Sequence, residues 1–588
     1  MLALVASGLL LTWMLCTAVL IGLGSLTLRK FGDGCGLMEN FWMGLAVAVA
    51  FLEIWSLLRP ITRAAALALA AIGVLGLAWN GKTILRKARE ALAGVGWTAA
   101  VYVLIAGYIA LRSCGPCDYY DTGLYGAQAI HWITSYPVVP GLANLHERFG
   151  FNSSIYLCDA AMVERLWANL YFHFFTGWIL AALWAAIFPS VARVVRGAPG
   201  SVVEYFQAIL VIPAAAWATR AKIVGTINDQ PAAVACLVAA AILFSELSPR
   251  EGESRAEGKG SEARIVVATA VLALAITFKL SVIVFAASAW AVAFVWLWRA
   301  SRESRQRGAW MAAAILIPAA ILVPWLVRGV ILSGYPFYPS TALGLSADWR
   351  LPAAVANIEA AGIRTFALNH NSALTAPARI MAWGGFGETV RWFLVVVRNR
   401  DAFQAPLGFS LLGAATLLGC RPLTGGEGRK PRRPLWLLLP SLAGIVFWLA
   451  KAPDPRFGQA AIWTVAATLG SLGIAACTAC IGWPPPRLVA AGLFVTMLWC
   501  LFSYDWRQSY RPLASVRELA PLPIAHVEPH QTDSGLTVYV PATGDQCWDA
   551  PLPCTPYFDG TLRLRFPGDP SGGFTSKGLQ YVPIEQAR

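Results

Sequence analysis

Apolar runs long enough to span a bilayer recur from one end of the chain to the other. About 20 residues suffice to cross the hydrocarbon core. The pattern predicts an all-α polytopic membrane protein with about fourteen transmembrane helices. They are expected near 3–27, 37–58, 61–79, 92–111, 166–188, 202–218, 230–247, 264–278, 280–298, 309–332, 405–420, 435–451, 459–481 and 488–503. The first run, Leu2 to Leu28, lacks a basic leading segment and is long for a signal-peptide core, so it reads as a retained helix. No repeat of fixed period is visible.

Polar residues between the runs set the expected orientation. Arg29 and Lys30, then Lys82, Arg86, Lys87 and Arg89, then Arg193 and Arg196 lie in alternate connections. Arg250, Arg255, Lys259 and Arg264 continue the series, followed by Arg299, Arg302, Arg305 and Arg307, and by Arg421, Arg429, Lys430, Arg432 and Arg433. Basic residues concentrate in cytoplasmic loops. The loops 112–165 and 333–404, the tail from Tyr504 and both termini then fall on the extracytoplasmic side. Residues 264–298 have basic flanks at both ends, so an even number of crossings is required. Two short helices turning at Phe278-Lys279-Leu280-Ser281 satisfy this and spare Lys279 the cost of mid-membrane burial.

Composition adds little except an exclusion. Hydrophobic residues make up 57% and charged residues 13%, against about 25% charged in soluble domains. The net charge of +14 sits in short inter-span loops, which argues for membrane orientation and against nucleic acid as a partner. Cys114, Cys117, Cys158, Cys547 and Cys554 fall in outer segments, where disulfides persist. Cys547 and Cys554 flank a Pro-containing turn and are expected to pair. Cys114-Gly115-Pro116-Cys117 is a weak metal signal without a second pair, and reads as a local or Cys158-linked disulfide, or as free thiols.

The first outer loop carries the densest chemistry. Asp118, Tyr119, Tyr120, Asp121, Thr122 and Tyr125 are followed by Gln128, His131 and Trp132, then by Asn144, His146, Glu147 and Arg148. A carboxylate just outside a span can act as a general base on a hydroxyl. The plainer reading is that Asp118 and Asp121 cap the helix beginning near Thr122. Asp454-Pro455-Arg456 reads equally as a phosphate clamp or as an ion pair closing a tight turn. His370 reads as a polar loop residue, and Glu388 sits in an expected surface helix. His146 and Glu147 are too close in sequence for a helical metal pair. Asn152-Ser153-Ser154 fits a glycosylation sequon.

An acid in the first large outer loop followed by Asp-x-x-x-Tyr resembles the GT-C class of polytopic glycosyltransferases, such as the protein mannosyltransferases and the aminoarabinose transferase of lipid A. Thr226-Ile227-Asn228-Asp229 resembles the Thr-x-x-Asp element that precedes a helix in that class. Ala275 to Lys279 resembles its helix pair with a Lys at the turn. Arg328, then Gly334-Tyr335-Pro336-Phe337-Tyr338-Pro339, resembles its Arg and the Gly-x-Pro-x-Tyr-Pro element that follows. A further group of bacterial membrane proteins carries the first loop, the 452–457 element and the 547–556 tail together. The resemblance spans roughly 92 to 566. It departs at Thr122, where many relatives carry Glu, in the three spans before the first loop, and in a tail of residues 504–588 where a larger soluble domain is usual.

The resemblance implies a division into extra N-terminal helices 1–91, a GT-C-like core 92–503 and the outer tail 504–588. It implies an enzyme of the bacterial inner membrane whose partners are membrane lipids and a polyprenyl-phosphate-linked sugar, moved to an outer acceptor with inversion. Asp121 is then the general base. Asp229 either binds a divalent cation with Asp121 or orients a basic residue. Asp118, Tyr125, His131, Lys279, Arg328 and Arg456 would contact substrate. The alternatives are a lipid or glycan transporter, a surface-glycan polymerase or ligase, and a non-catalytic scaffold.

Overall fold

The computed structural model describes all residues except 1, 32–33, 118, 163–169, 220–222, 249–259, 303, 369–385, 421–432, 503–519 and 578–588. Asp118, His370 and the basic residues 250–259 and 421–432 therefore lie outside the described residues. Among those described, 12 helices are long and apolar enough to cross a membrane. The chain is a multi-pass helical protein. In chain order the helices are α1 Leu2–Leu28, α2 Leu37–Leu58, α3 Arg63–Val95, α4 Ala99–Ser113, α5 Ala127–Ser135, α6 Ile155–Ala160, α7 Phe175–Val195, α8 Val202–Ile209, α9 Val211–Thr219 and α10 Asp229–Leu247. They continue as α11 Ser261–Phe278, α12 Ile283–Ala300, α13 Arg307–Ser333, α14 Ala353–Leu368, α15 Phe386–Val397, α16 Ala405–Gly419, α17 Leu438–Lys451, α18 Pro455–Ile481 and α19 Pro486–Leu501.

Two expected spans, near 61–79 and 92–111, differ from the prediction. The expected basic loop between them is helical: α3 runs unbroken for 33 residues, about 50 Å at 1.5 Å per residue. Lys82, Arg86, Lys87 and Arg89 ride on its last turns, with an i,i+4 pair from Arg86 to Glu90 at 3.8 Å. A three-residue 3-10 turn, Gly96–Thr98, then starts α4. The start of α3 meets the first loop, and the end of α4 meets the turn before α7. Ile61 N–H donates to Ile133 C=O, and His173 Nδ1 meets the Ser113 carbonyl at 2.6 Å. The expected span 202–218 is also interrupted, at Leu210 between α8 and α9.

The hairpin at Lys279 forms as expected. Helix α11 ends at Phe278, Lys279 is extended, and a short 3-10 turn, Leu280–Val282, leads into α12. The first loop fixes this turn: Ser154 N–H donates to Thr277 C=O and Ser153 Oγ donates to Phe278 C=O. Helices meet closely where glycine replaces larger residues. A Cβ at Gly22 would lie 2.0 Å from the Gly73 carbonyl oxygen, and one at Gly44 1.8 Å from that of Leu20, so α1, α2 and α3 touch backbone to backbone.

The tail is not featureless. Strands β1 Val527–Gln531 and β2 Thr537–Pro541 form one antiparallel hairpin, and β3 Arg563–Phe566 and β4 Asp569–Thr575 another. Cys547 and Cys554 are joined in a disulfide, with Cα atoms 6.1 Å apart. The tail docks on the first loop. Trp548 N–H donates to Gly123 C=O, and Gln128 Nε2 donates to the carbonyls of Trp548 and Ala550 at 3.1 and 2.7 Å. Phe574 N–H donates to Pro140 C=O. The second large loop joins them where Asn144 Nδ2 donates to Trp349 C=O at 2.8 Å. The three large polar segments thus gather on one face. On the other, Lys87 reaches the Cys35 carbonyl and Arg196 meets Thr98 Oγ1 at 3.0 Å.

Candidate functional site

The helix bearing Asp121 opens irregularly. Residues Thr122–Gly126 form a π-helical turn, and Asp121 occupies its N-cap without a side-chain cap hydrogen bond. The capping reading of Asp121 therefore does not hold. Its carboxylate instead accepts a hydrogen bond from Tyr119 OH at 3.1 Å and faces Arg148 Nη1 at 3.6 Å. π-helical turns recur at functional sites.

Two sequence motifs interlock beneath it. Thr226 N–H donates to Thr122 Oγ1 at 3.0 Å, and a Cβ at Gly126 would meet Thr226 Oγ1 at 2.0 Å. The contact brings the start of α10 beside the Asp121 helix. There Asp229 pairs with Lys279, and Lys279 also donates to Asn228 Oδ1 at 3.1 Å. Arg456 approaches the other Asp229 oxygen at 3.8 Å. It also pairs with Asp454 at 3.0 Å, while Asp454 accepts from Arg456 N–H as the N-cap of α18. Of the two readings of Asp454-Pro455-Arg456, the ion pair is present, and it aims the guanidinium at Asp229. Phe457 lies under both cations, 4.4 Å from Lys279 Nζ and 4.9 Å from the Arg456 guanidinium carbon.

Tyr119 joins the two halves. Burial pushes its hydroxyl well above the usual tyrosine range, with Asp121 and Asp229 adding and Arg456 opposing. Tyr156 is raised by burial and by the same two carboxylates. Asp121, Asp229 and Arg456 therefore share one electrostatic neighbourhood. Its rim is Arg148, where burial works against the charge and the carboxylates of Glu359 and Asp121 outweigh it. Glu359, on α14 of the second loop, meets Arg148 Nε at 3.3 Å. Side-chain exposures are 25% for Asp121, 22% for Lys279 and 31% for Arg456, against 6% for Asp229. Asp229 is thus the buried anchor, and the others keep an open side.

Two expected site residues, Arg328 and His131, stand elsewhere, while Tyr125 stays beside Asp121. Arg328 is buried, with Nη1 3.1 Å from Glu53 and 2.8 Å from Asn152 Oδ1. It ties α13 to α2 rather than joining Lys279. Asn152 is spent on that contact and on the Trp325 carbonyl, so the sequon is closed in the folded chain. His131 Nε2 lies 2.7 Å from Asp549 of the tail. Tyr125 is buried, its ring facing Arg148 at 5.7 Å and packing edge-on against Phe151. Among the described residues no group of three or more His, Cys, Asp or Glu side chains is arranged to hold a metal ion. Asp229 contacts two cations, as expected if it orients them. Sequence reasoning named Tyr119 and Arg148 in the first loop without giving either a role, and missed Glu359. The available signal was charge sign, since Arg148, Lys279 and Arg456 are basic residues on the face that the basic loops avoid.

A family model described as Domain of unknown function (DUF8201) matches residues 8–463. The chain belongs to that family. The matched stretch begins in α1 and ends in α18, so the DUF8201 region contains Asp121, Asp229, Lys279 and Arg456 as well as the N-terminal helices. The tail that docks on the first loop follows it. Comparisons with curated proteins and with solved structures find no match.

Proposed function

We propose that this DUF8201 protein transfers a sugar from a polyprenyl-phosphate donor to a hydroxyl acceptor at the outer membrane face, with inversion. The observation that carries the reading is that Asp121, a partly open carboxylate bonded to Tyr119, shares that tyrosine's surroundings with Asp229 and the partly open cation Arg456, and that Asp229 also holds a second partly open cation, Lys279. In the reaction Asp121 takes the acceptor proton as the acceptor oxygen bonds to the anomeric carbon. The bond from that carbon to the phosphate oxygen breaks, and polyprenyl phosphate leaves as an anion. Lys279 and Arg456 face the developing negative charge, a use of fixed cations worth most where water is excluded. Asp229 holds both cations in place, and Arg148 with Tyr119 orients Asp121. Arg328 has no role beyond structure.

The reading includes fourteen crossings, the α3–α4 stretch counting as two and α19 as the last, with both termini outside. The buried Glu53–Arg328 pair does not favour the transporter alternative. Glu53 lies within two turns of the end of α2, where Ser56 C=O already accepts from Val138 of the first loop, whereas transport sites lie near the bilayer midplane.

The test uses membranes containing the full chain and a labelled panel of polyprenyl-phosphate hexoses and pentoses. Asp121→Asn should retain polyprenyl-phosphate binding and lose transfer of label. Lys279→Ala and Arg456→Ala should weaken that binding. Transfer persisting in Asp121→Asn, or undiminished binding in both cation variants, would refute the proposal.

A further inference from the structure

On the basic face, far from Asp121, a small open groove lies between the ends of α10, α12 and the 3-10 turn Arg433–Leu437 that starts α17. Leu247 and Val292 form its apolar floor, and Trp296, Arg299, Arg433 and Trp436 form its walls. The two arginines are crossed. Arg299 of α12 stacks on Trp436 at 5.2 Å, and Arg433 stacks on Trp296 of α12 at 5.2 Å. Both arginines are exposed, and among the described residues neither is paired with a carboxylate. Glu246, one residue before Leu247, is taken by Arg264 and by Ser261.

We infer that this groove holds the phosphodiester headgroup of an anionic phospholipid, with its chains lying along Leu247 and Val292. The reasons are chemical. A guanidinium binds phosphate through two parallel N–H donors. Stacking on tryptophan fixes the plane of each guanidinium without neutralising it. Two planar cations facing one gap over the apolar side chains of Leu247 and Val292 match a charged head on an apolar body. A zwitterionic lipid would bring its own cation into the same gap. Basic pockets between helices on the basic side are sites where such headgroups collect. The inference does not depend on the proposed reaction.

The experiment uses the full chain purified in detergent. Retained lipid is read by native mass spectrometry after exchange against phosphatidylglycerol or phosphatidylcholine of the same chains. The wild type should retain phosphatidylglycerol selectively. Arg299→Gln and Arg433→Gln should each reduce that retention roughly fivefold, and the double variant should abolish the selectivity. Arg302→Gln/Arg305→Gln, which removes the same charge outside the groove, should leave it intact. Glycerophosphoglycerol, the same lipid without its chains, should not displace the lipid at equal concentration. Equal retention of the two lipids by the wild type would overturn the assignment. So would unchanged selectivity in both single variants, equal loss in the Arg302/Arg305 control, or displacement by glycerophosphoglycerol, which would mark a free-anion site. The single variants carry the test if the double variant does not fold.

Discussion

Substituting Gly123 tests how firmly the tail grips the Asp121 helix. A Cβ placed there would sit 2.5 Å from Trp548 Cε2 and 2.7 Å from its Cδ2 and Cζ2. The ring cannot retreat freely, because Trp548 donates to Gly123 C=O, accepts from Gln128, and follows a disulfide-bonded cysteine. Overpacking of this kind costs about 1–3 kcal/mol. Releasing the loop instead forfeits the bond to Gly123 and the two from Gln128, at about 0.5–1.5 kcal/mol each. The two routes cost similar amounts, so the penalty stays near 1–3 kcal/mol. Alanine recovers up to about 1 kcal/mol of helix propensity over glycine, so the single variant understates the clash. A double-mutant cycle removes that ambiguity. In a Trp548→Leu background Gly123→Ala should be neutral or slightly stabilising, leaving a coupling of about 1–3 kcal/mol. Limited proteolysis of the tail measures it, since each 1.4 kcal/mol changes the open population about tenfold. Additivity within about 0.5 kcal/mol would show that the ring is not seated on Gly123.

Three further outcomes follow from buried charge and topology. Asp159 is fully enclosed, and burial alone pushes its carboxyl well above the usual range. Its folded pKa is thus raised, so its contribution is present below the ordinary carboxylate pKa and is lost as pH rises through the folded value. Asp159→Asn should therefore flatten the fall of thermal stability in detergent that begins above the ordinary carboxylate pKa, and an unchanged pH profile would contradict this. Glu53→Gln leaves Arg328 as an uncompensated buried charge, a loss of about 3–5 kcal/mol. Glu53→Leu/Arg328→Met should recover folding and also transfer activity, and recovery of folding without activity would return Arg328 to the reaction. Cysteines placed at the exposed Ser534 and at Ser304 should be labelled from outside the cell and left unlabelled, respectively, and the reverse would invert the orientation.

The helices were legible because bilayer length and loop charge each leave a one-dimensional trace. The Lys279 turn followed from charge parity alone. The α3 extension did not, because a basic stretch reads as a loop whether it is coiled or helical, and Arg86–Glu90 spacing favours helix only weakly. The site was half legible. Asp121, Asp229, Lys279 and Arg456 carried motif signals; Lys279 and Arg456 meet Asp229, and Tyr119 lies near Asp121, Asp229 and Arg456. Arg328 carried one too, but its partner Glu53 lies 275 positions away, and no local pattern reports that pairing. Glu359 was missed for the same reason, since only the fold brings α14 against Arg148. The tail was read as a short appendage because its value lies in what it touches, and Trp548 meets Gly123 across more than four hundred residues of chain.

That separation sets an order of assembly. The ribosome releases the Asp121 helix early, and its neighbours along the chain reach the membrane long before residues 545–574 are made. Until those residues have folded and formed their disulfide, Gly123, Gln128, His131 and Pro140 lack the contacts that hold them. A chain halted before the tail inserts all its helices and still presents an unclamped first loop. Completion of the tail therefore reports back to the first loop, and formation of the Cys547–Cys554 disulfide belongs to the assembly of that loop rather than to the tail alone.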